Sequence, residues 1–347
     1  MRIAVVGATG NVGTSLLERL AADGMVESVL GVARRRPQLQ VDKTEWATAN
    51  IATDELVPLF RGLDAVVHLA WLIQPSRDLG LLWRVNVEGS ARVFRAVADA
   101  GVPALVYASV GAYSPGPKDG FVGEDWPVDG TRSSYYARQK AEVERRLDEF
   151  EREHTGVRVV RLRPGLIFKR EAATGILRLF AGPFLPGRLV GRETVPIFPD
   201  LPGLRFQAVH SLDVAEAYRL ALLSDAHGPF NVAAEPVLDS QRLAELFQAR
   251  LVPLSPVIAR RAITAMWHLR LIPIPADWLE LALSVPLLDV TRARQALGWT
   301  PQRGADEAFR ELIRGLRERA GTETPPLSPR TSLPLRIREL ATGVGRR

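Results

Sequence analysis

Tyr136 and Lys140 stand four residues apart at the start of a stretch with helical periodicity, Tyr136-Ala137-Arg138-Gln139-Lys140. That spacing puts a phenol and an ammonium on one helix face, one turn apart. An isolated phenol, with a pKa of about 10, is a poor base near neutrality. A neighbouring cation favours phenolate and lowers that value, so Tyr136 is a candidate general acid/base. Lysine is also a rare choice in this chain: of 45 basic residues only Lys43, Lys118, Lys140 and Lys169 are lysine, the rest arginine. Ser109, directly after the apolar run 104–108, is a third candidate. It is either a hydroxyl donor at a ligand-binding strand edge or a loop serine capping a turn before Pro115 and Pro117.

The elements that must position these groups begin at the first residue. Arg2-Ile3-Ala4-Val5-Val6 is a run of β-formers, Gly7-Ala8-Thr9-Gly10-Asn11-Val12-Gly13 follows, and apolar residues then recur at helical spacing. Strand, glycine turn and helix in that order form a dinucleotide cradle. One glycine permits the sharp turn, one lets backbone approach a pyrophosphate, and one lets the helix pack closely on the sheet. The phosphates would sit over the free N–H groups of the helix start.

Up to about residue 165 strands and helices alternate. Strands are expected at 28–32, 45–49, 65–69, 104–108 and 157–161, and helices at 53–60, 81–100 and 134–154, with Thr53 as an N-cap. Such alternation means an α/β fold, a Rossmann-type doubly wound parallel sheet. A small, mostly helical C-terminal substrate lobe is expected to follow. The dinucleotide-binding domain is read as 1–165 with returning segments near 206–232, and the lobe as 166–205 and 233–319. Within the lobe, 251–290 is apolar but broken by prolines into short helices and turns. The Pro-, Ser- and Arg-rich tail 320–347 is expected to be disordered, with a helical turn at 335–340.

Composition bounds the function classes. Hydrophobic and charged contents of 46% and 24% are ordinary for a globular protein. With no cysteine there is no disulfide or thiolate metal site, and no other metal ligand set is read. No leader peptide and no membrane span is expected, which reads as a cytoplasmic protein. The net charge of +6 comes from scattered arginines with acidic neighbours, so no nucleic-acid surface is expected.

Further motifs stand in a fixed order: His68-Leu69-Ala70, Asn86-Val87-x-Gly89-Ser90, Ser109 four residues before Tyr113, and Arg163-Pro164-Gly165. Val209-His210-Ser211-Leu212-Asp213-Val214-Ala215 and Leu297-Gly298-Trp299-Thr300-Pro301 come later. Together with the glycine turn and Tyr136-x3-Lys140, this set resembles the extended short-chain dehydrogenases/reductases, the NAD-dependent epimerases and dehydratases, over about residues 1–315. The resemblance implies that Tyr136 is the catalytic acid/base and that Lys140 lowers its pKa and holds the nicotinamide ribose. By the same resemblance Ser109 orients the substrate oxygen, Asn86 shapes the active site and Pro164 lies beside the carboxamide. Gly7, Thr9, Gly10, Asn11, Val12, Gly13, Leu69 and Ala70 would line the cofactor. Asn50-Ile51 falls where many members carry an Asp-hydrophobic pair beside adenine, and the asparagine removes that charge.

Arg34-Arg35-Arg36 follows the second expected strand, and no acid occurs between Glu27 and Asp42. NAD sites usually place an acid there, whereas arginines accommodate a 2′-phosphate. The sequence thus favours NADP(H) over NAD(H), the alternative being a solvated basic turn. The reading is an NAD(P)-dependent oxidoreductase moving hydride between nicotinamide and a ketone or secondary alcohol. Its small-molecule substrate is taken as apolar from the composition of 251–290, and a homodimer is left open. Val110-Gly111-Ala112 offers no second proton donor for sugar dehydration. A nucleotide-sugar epimerase with bound NAD stays open. So do a non-catalytic dinucleotide sensor and a membrane-associated binding protein, the latter from Trp267, Leu269, Leu271, Ile272, Trp278, Leu279 and Leu281, which otherwise form lobe core.

Overall fold

In the computed structural model, which describes residues 1–74, 77–180 and 196–328, the apolar runs assemble into one seven-stranded sheet. Its strands are β1 (Arg2–Val6), β2 (Ser28–Ala33), β3 (Thr44–Thr48), β4 (Ala65–His68), β5 (Ala104–Ala108), β6 (Arg158–Pro164) and β7 (Gly228–Val232). Every neighbouring pair is parallel, in the order β3-β2-β1-β4-β5-β6-β7. The chain is therefore a Rossmann-type α/β fold. Its strand order reverses between β1 and β4, which opens the crevice where such sheets take ligands.

Both faces of the sheet are covered, and this explains the uninterrupted apolar strands. In β1, Ile3 and Val5 pack with Leu16, Leu17 and Leu20 under the helices Asn11–Ala21 and Ser211–Leu223. Ala4 and Val6 face the other way, into Val93, Phe94, Val143 and Leu147 of the helices Gly89–Asp99 and Tyr135–Glu153.

Local chemistry moved several boundaries. The helix expected at 53–60 is only Val57–Phe60, because side chains take over the preceding backbone. Asn50 N–H donates to Asp54 (2.9 Å) and Ala52 N–H to the Asn50 side chain (3.1 Å), so Thr53 is not a cap. The next helix starts earlier than expected, at Leu79, where Asp78 accepts from Leu81 N–H (2.9 Å), and carries a π turn at Arg84–Glu88. The helix Ser240–Phe247 ends where Gln248 adopts a left-handed conformation (φ 52°).

Beyond β6 helices predominate among the described residues, with short strands between them. Leu166–Phe168, Arg205–His210 and Ala234–Asp239 form a small mixed sheet, and Arg250–Pro253 pairs with Ile197–Asp200. The start of the tail is also ordered, contrary to its composition. Thr324 and Leu327 are buried, and Ala320 C=O accepts from Thr174 Oγ1 (2.7 Å). Gly175 makes room for this return, since a Cβ there would stand 2.9 Å from Pro326 C=O. Residues 329–347, including the turn expected at 335–340, lie outside the described residues.

Candidate functional site

β5 delivers Ser109 to the crevice, its N–H extending the ladder to Leu162 C=O (2.8 Å). The helix Tyr135–Glu153 starts beside it, with Ser134 as N-cap accepting from Ala137 N–H (3.3 Å). Tyr136 thereby lies in an aromatic nest. Trp278 is 5.0 Å and Trp71 5.8 Å from its ring, with Leu82 and Leu281 alongside. Gly111 (φ +74°) passes beneath the ring, where a Cβ would come within 3.2 Å. Burial, with Tyr135 adjacent, raises the Tyr136 pKa above that of a free phenol. Its hydroxyl makes no hydrogen bond among the described residues, so the site holds a protonated phenol whose proton is not committed elsewhere.

One turn on, the Lys140 ammonium donates to Ala108 C=O (2.7 Å) and Tyr107 OH (3.3 Å). The Trp71 ring covers it at 3.6 Å. Burial brings its pKa down to about 7, against the opposing pull of Glu144. Lys140 is thus on the expected face but is engaged with Ala108 and Trp71, and in this arrangement the Tyr136 phenol stays up rather than down. The neighbouring His68 ring is also buried; desolvation first, then the Lys140 charge, take its pKa down to about 3 and leave it neutral. Its Nε2 meets Ser90 Oγ at 2.9 Å.

Asn86 is buried and fully used. Its amide clasps Leu72 through the N–H (2.7 Å) and the C=O (2.8 Å), and also donates to Gln139 (2.9 Å). It fixes the segment that carries Trp71 and is a positioning residue. Ser109 Oγ is buried without a well-formed hydrogen bond, though close enough to Glu144 to help keep that carboxylate ionised. Glu144 accepts from Arg161 Nη1 (2.7 Å) and Arg163 Nε (3.0 Å). Despite its burial, Arg163 and Arg161 hold its pKa down to about 2. Arg163 also donates to Tyr113 OH (3.1 Å) and Glu124 C=O (2.9 Å).

At the crevice floor, Gly7 (φ +90°) could not carry a Cβ, which would lie 2.7 Å from Ala70 N. Gly13 would clash with Gly7 C=O at 2.5 Å. Those two glycines are demanded by packing of the turn on Leu69-Ala70 and on itself. Gly10 is different: a Cβ there would meet only Gly7 C=O, at 3.4 Å, and Gly10 caps Asn11–Ala21 with no side chain. The N–H groups of that first turn are left for a phosphate, and no acid stands in the turn to oppose one. These residues fit a dinucleotide. Val12 is half-buried and Thr9 nearly buried beside them, and Asn11 turns its amide to Ile167 C=O (2.9 Å). Pro164 is buried at the end of β6. Ile51 packs against Gly89, while Asn50 is occupied by its own turn. Arg34, Arg35 and Arg36 are exposed just past β2.

Four groups central to this geometry escaped the sequence reading: Trp71, Trp278, Gln139 and Glu144. Glu144 had a signal, lying one further turn along the Tyr136–Lys140 stripe. Trp71 had none, and Trp278 was legible only as an apolar residue of 251–290, because their approach to Tyr136 is a tertiary event. Arg188 and Arg192, whose charge would suit a phosphate, lie outside the described residues. A cavity of about 740 Å³ lies elsewhere. It flanks the outer side of Asn11–Ala21 and is lined by Glu18, Lys169, His210 and Glu311, and by none of Ser109, Tyr136 and Lys140.

The sequence model of the NAD dependent epimerase/dehydratase family matches residues 3–233. The chain belongs to that family. An uncharacterised protein of Mycobacterium tuberculosis is 30% identical over 341 residues, 97% of this chain but 32% of its own length. The chain thus spans about a third of that relative. A UDP-glucose 4-epimerase of Mycolicibacterium smegmatis is 27% identical over 340 residues, covering 92% of this chain and 100% of that protein. Among solved structures, the Thermus thermophilus UDP-glucose 4-epimerase complex with NAD superposes with a TM-score of 0.68 at 23% identity, covering 91% of this chain and 99% of that one. This last likeness concerns the fold.

Proposed function

We propose that this member of the family is an NAD(P)-dependent oxidoreductase acting between a ketone and a secondary alcohol, with NADP(H) preferred. The observation that carries the reading is the Tyr136 phenol: buried, protonated and with its proton uncommitted, one helical turn from a buried ammonium at the ligand edge of the sheet. A general acid for carbonyl reduction must hold its proton until the substrate oxygen develops charge, and this environment does that. When bound, the dinucleotide supplies the hydride acceptor or donor. Tyr136 gives the proton at its phenolic oxygen, Ser109 orients the substrate oxygen, and Lys140 holds the nicotinamide ribose and offsets the phenolate left behind. Tyr136→Phe should leave dinucleotide affinity within a few-fold and cut turnover by roughly 10²–10⁴. Unchanged turnover would remove Tyr136 from the chemistry.

Trp71, Trp278, Leu82 and Leu281 around Tyr136 support an apolar substrate, oriented by few polar groups. The full-length likeness to the Mycolicibacterium epimerase favours a second reading, a nucleotide-sugar 4-epimerase with retained NAD. Thermal-shift titration separates them: stabilisation by UDP- or dTDP-sugars and not by terpenoid or aromatic ketones would establish the second and end the first. For NADP(H), a charge-assisted bond from Arg34 or Arg35 to a 2′-phosphate predicts roughly 10- to 150-fold preference over NAD(H). Arg34→Ala with Arg35→Ala should abolish most of it, and tighter NADH binding by the unmodified chain would refute it.

A further inference from the structure

The helix Pro256–His268 packs poorly for its composition. Only Ala259 of its thirteen residues is buried. Ile258, Ala262, Ala265 and Leu269 are all exposed, and their i, i+4, i+7, i+11 spacing makes them one continuous stripe. Leu269 is 70% exposed and Ile258 59%, with Val257 and Leu271 open beside them. The stripe faces outward. Trp278 and Leu281, from the next helix, are the part of this segment that joins the Tyr136 nest instead.

Charge around the stripe has one sign. Between residues 249 and 276 the chain contains Arg250, Arg260, Arg261, His268 and Arg270 and no acid. Arg260 is neutralised by Glu280 (2.8 Å). Arg261 and Arg270 are exposed and have no acidic partner among the described residues. Arg77 joins them from another part of the chain. Its guanidinium lies 3.4 Å over the Trp267 ring, near enough to Arg270 for the two charges to repel. The adjacent Asp78 is turned to cap its own helix.

We propose that the face formed by Ile258, Ala262, Ala265, Leu269 and Leu271, collared by Arg77, Arg261 and Arg270, docks on an anionic lipid bilayer. Aliphatic side chains enter the acyl boundary and arginines stay at headgroup depth, the arrangement of interfacial helices. Protein interfaces centre instead on aromatic anchors in desolvated pockets, and the one aromatic here, Trp267, lies beneath Arg77. Docking would be peripheral: no helix among the described residues is long and apolar enough to cross a membrane.

Co-sedimentation of the full chain with vesicles tests this, using phosphatidylcholine alone against phosphatidylcholine with phosphatidylglycerol. Binding should require the anionic lipid and weaken with salt. Arg261→Glu with Arg270→Glu should lower the partition coefficient at least tenfold, each neutralised cation alone contributing roughly fivefold. Leu269→Asp with Leu271→Asp should abolish binding, and both variants, altered only at exposed positions, should keep the melting temperature and dinucleotide affinity of the parent. Absence of binding, equal binding to neutral vesicles, or binding that survives both variants would overturn the proposal. It is likewise overturned if light scattering shows a parent oligomer that Leu269→Asp/Leu271→Asp dissolves, since a second copy then covers the face. Retention on polyglutamate without retention on vesicles would assign it to an acidic protein.

Discussion

Two stretches of the helix Tyr135–Glu153 treat buried polar groups in opposite ways. At Glu144 a buried carboxylate is surrounded by partners: Arg161 and Arg163 hold it, Arg163 continues to Tyr113, and Tyr113 donates to Asn231 (2.6 Å). Two turns earlier the Tyr136 hydroxyl makes no hydrogen bond among the described residues, and the Trp71 and Trp278 indole N–H groups beside its ring are buried without one. An unmade hydrogen bond in the interior costs about 1–3 kcal/mol. Such a deficit is one that a bound ligand would relieve, whereas beside Glu144 only Arg161 Nε and Ser109 Oγ lack a well-formed hydrogen bond among the described residues. On the proposed function, the helix is an anchor at one level and a ligand site at the next.

The comparison breaks most visibly at Glu144. Glu144→Gln removes the charge that two buried guanidinium groups share, and unpairing a buried ion pair costs about 3–5 kcal/mol. The urea midpoint should fall accordingly, while Glu142→Gln, which loses surface pairs to Arg145 and Arg146 on the same helix, should cost less than about 1 kcal/mol. Equal midpoints for the two variants would show that the Glu144 network does not anchor the helix.

How legible this was depends on where each signal is written. Strand order, the glycine turn and the Tyr136–Lys140 face are local patterns, and the sheet follows from them by the rules of parallel packing. The rarity of lysine was informative in a different way than it reads. Lys169 donates to Thr14 (2.6 Å) and Ser15 (2.9 Å), and Lys118 to the carbonyls of Arg205, Ala282 and Val285. Lysine in this chain marks places where a compact ammonium must reach a particular oxygen, and Lys140 is one of several. What could not be read was tertiary: Trp71 over the ammonium, Trp278 beside the phenol, Leu327 returning to Gly175, and the outward turn of Leu269. In 251–290 the same apolar composition serves the site at Trp278 and the surface at Leu269, and nothing in the spacing separates the two.

The smallest effect concerns the ammonium itself. Lys140 is held near pKa 7 in the folded chain against about 10.4 when unfolded. Between those values the unfolded chain binds more protons, so stability rises with pH across that window and the full penalty is present below it. Lys118 and Lys169, each brought down to about 8 by burial, add the same trend only above that pH. The interval from pH 7 to 8 therefore reports chiefly on Lys140, with a slope of at most about 1.4 kcal/mol per pH unit. Lys140→Met keeps the length of the side chain and removes its charge. It should stabilise the protein most at pH 6, by about 1 kcal/mol more than at pH 8, where part of the gain persists, and so flatten the dependence between them. If urea midpoints instead show Lys140→Met destabilised at every pH, as Glu144→Gln is expected to be, the ammonium is a structural member like its neighbour two turns away, and the contrast along this helix disappears.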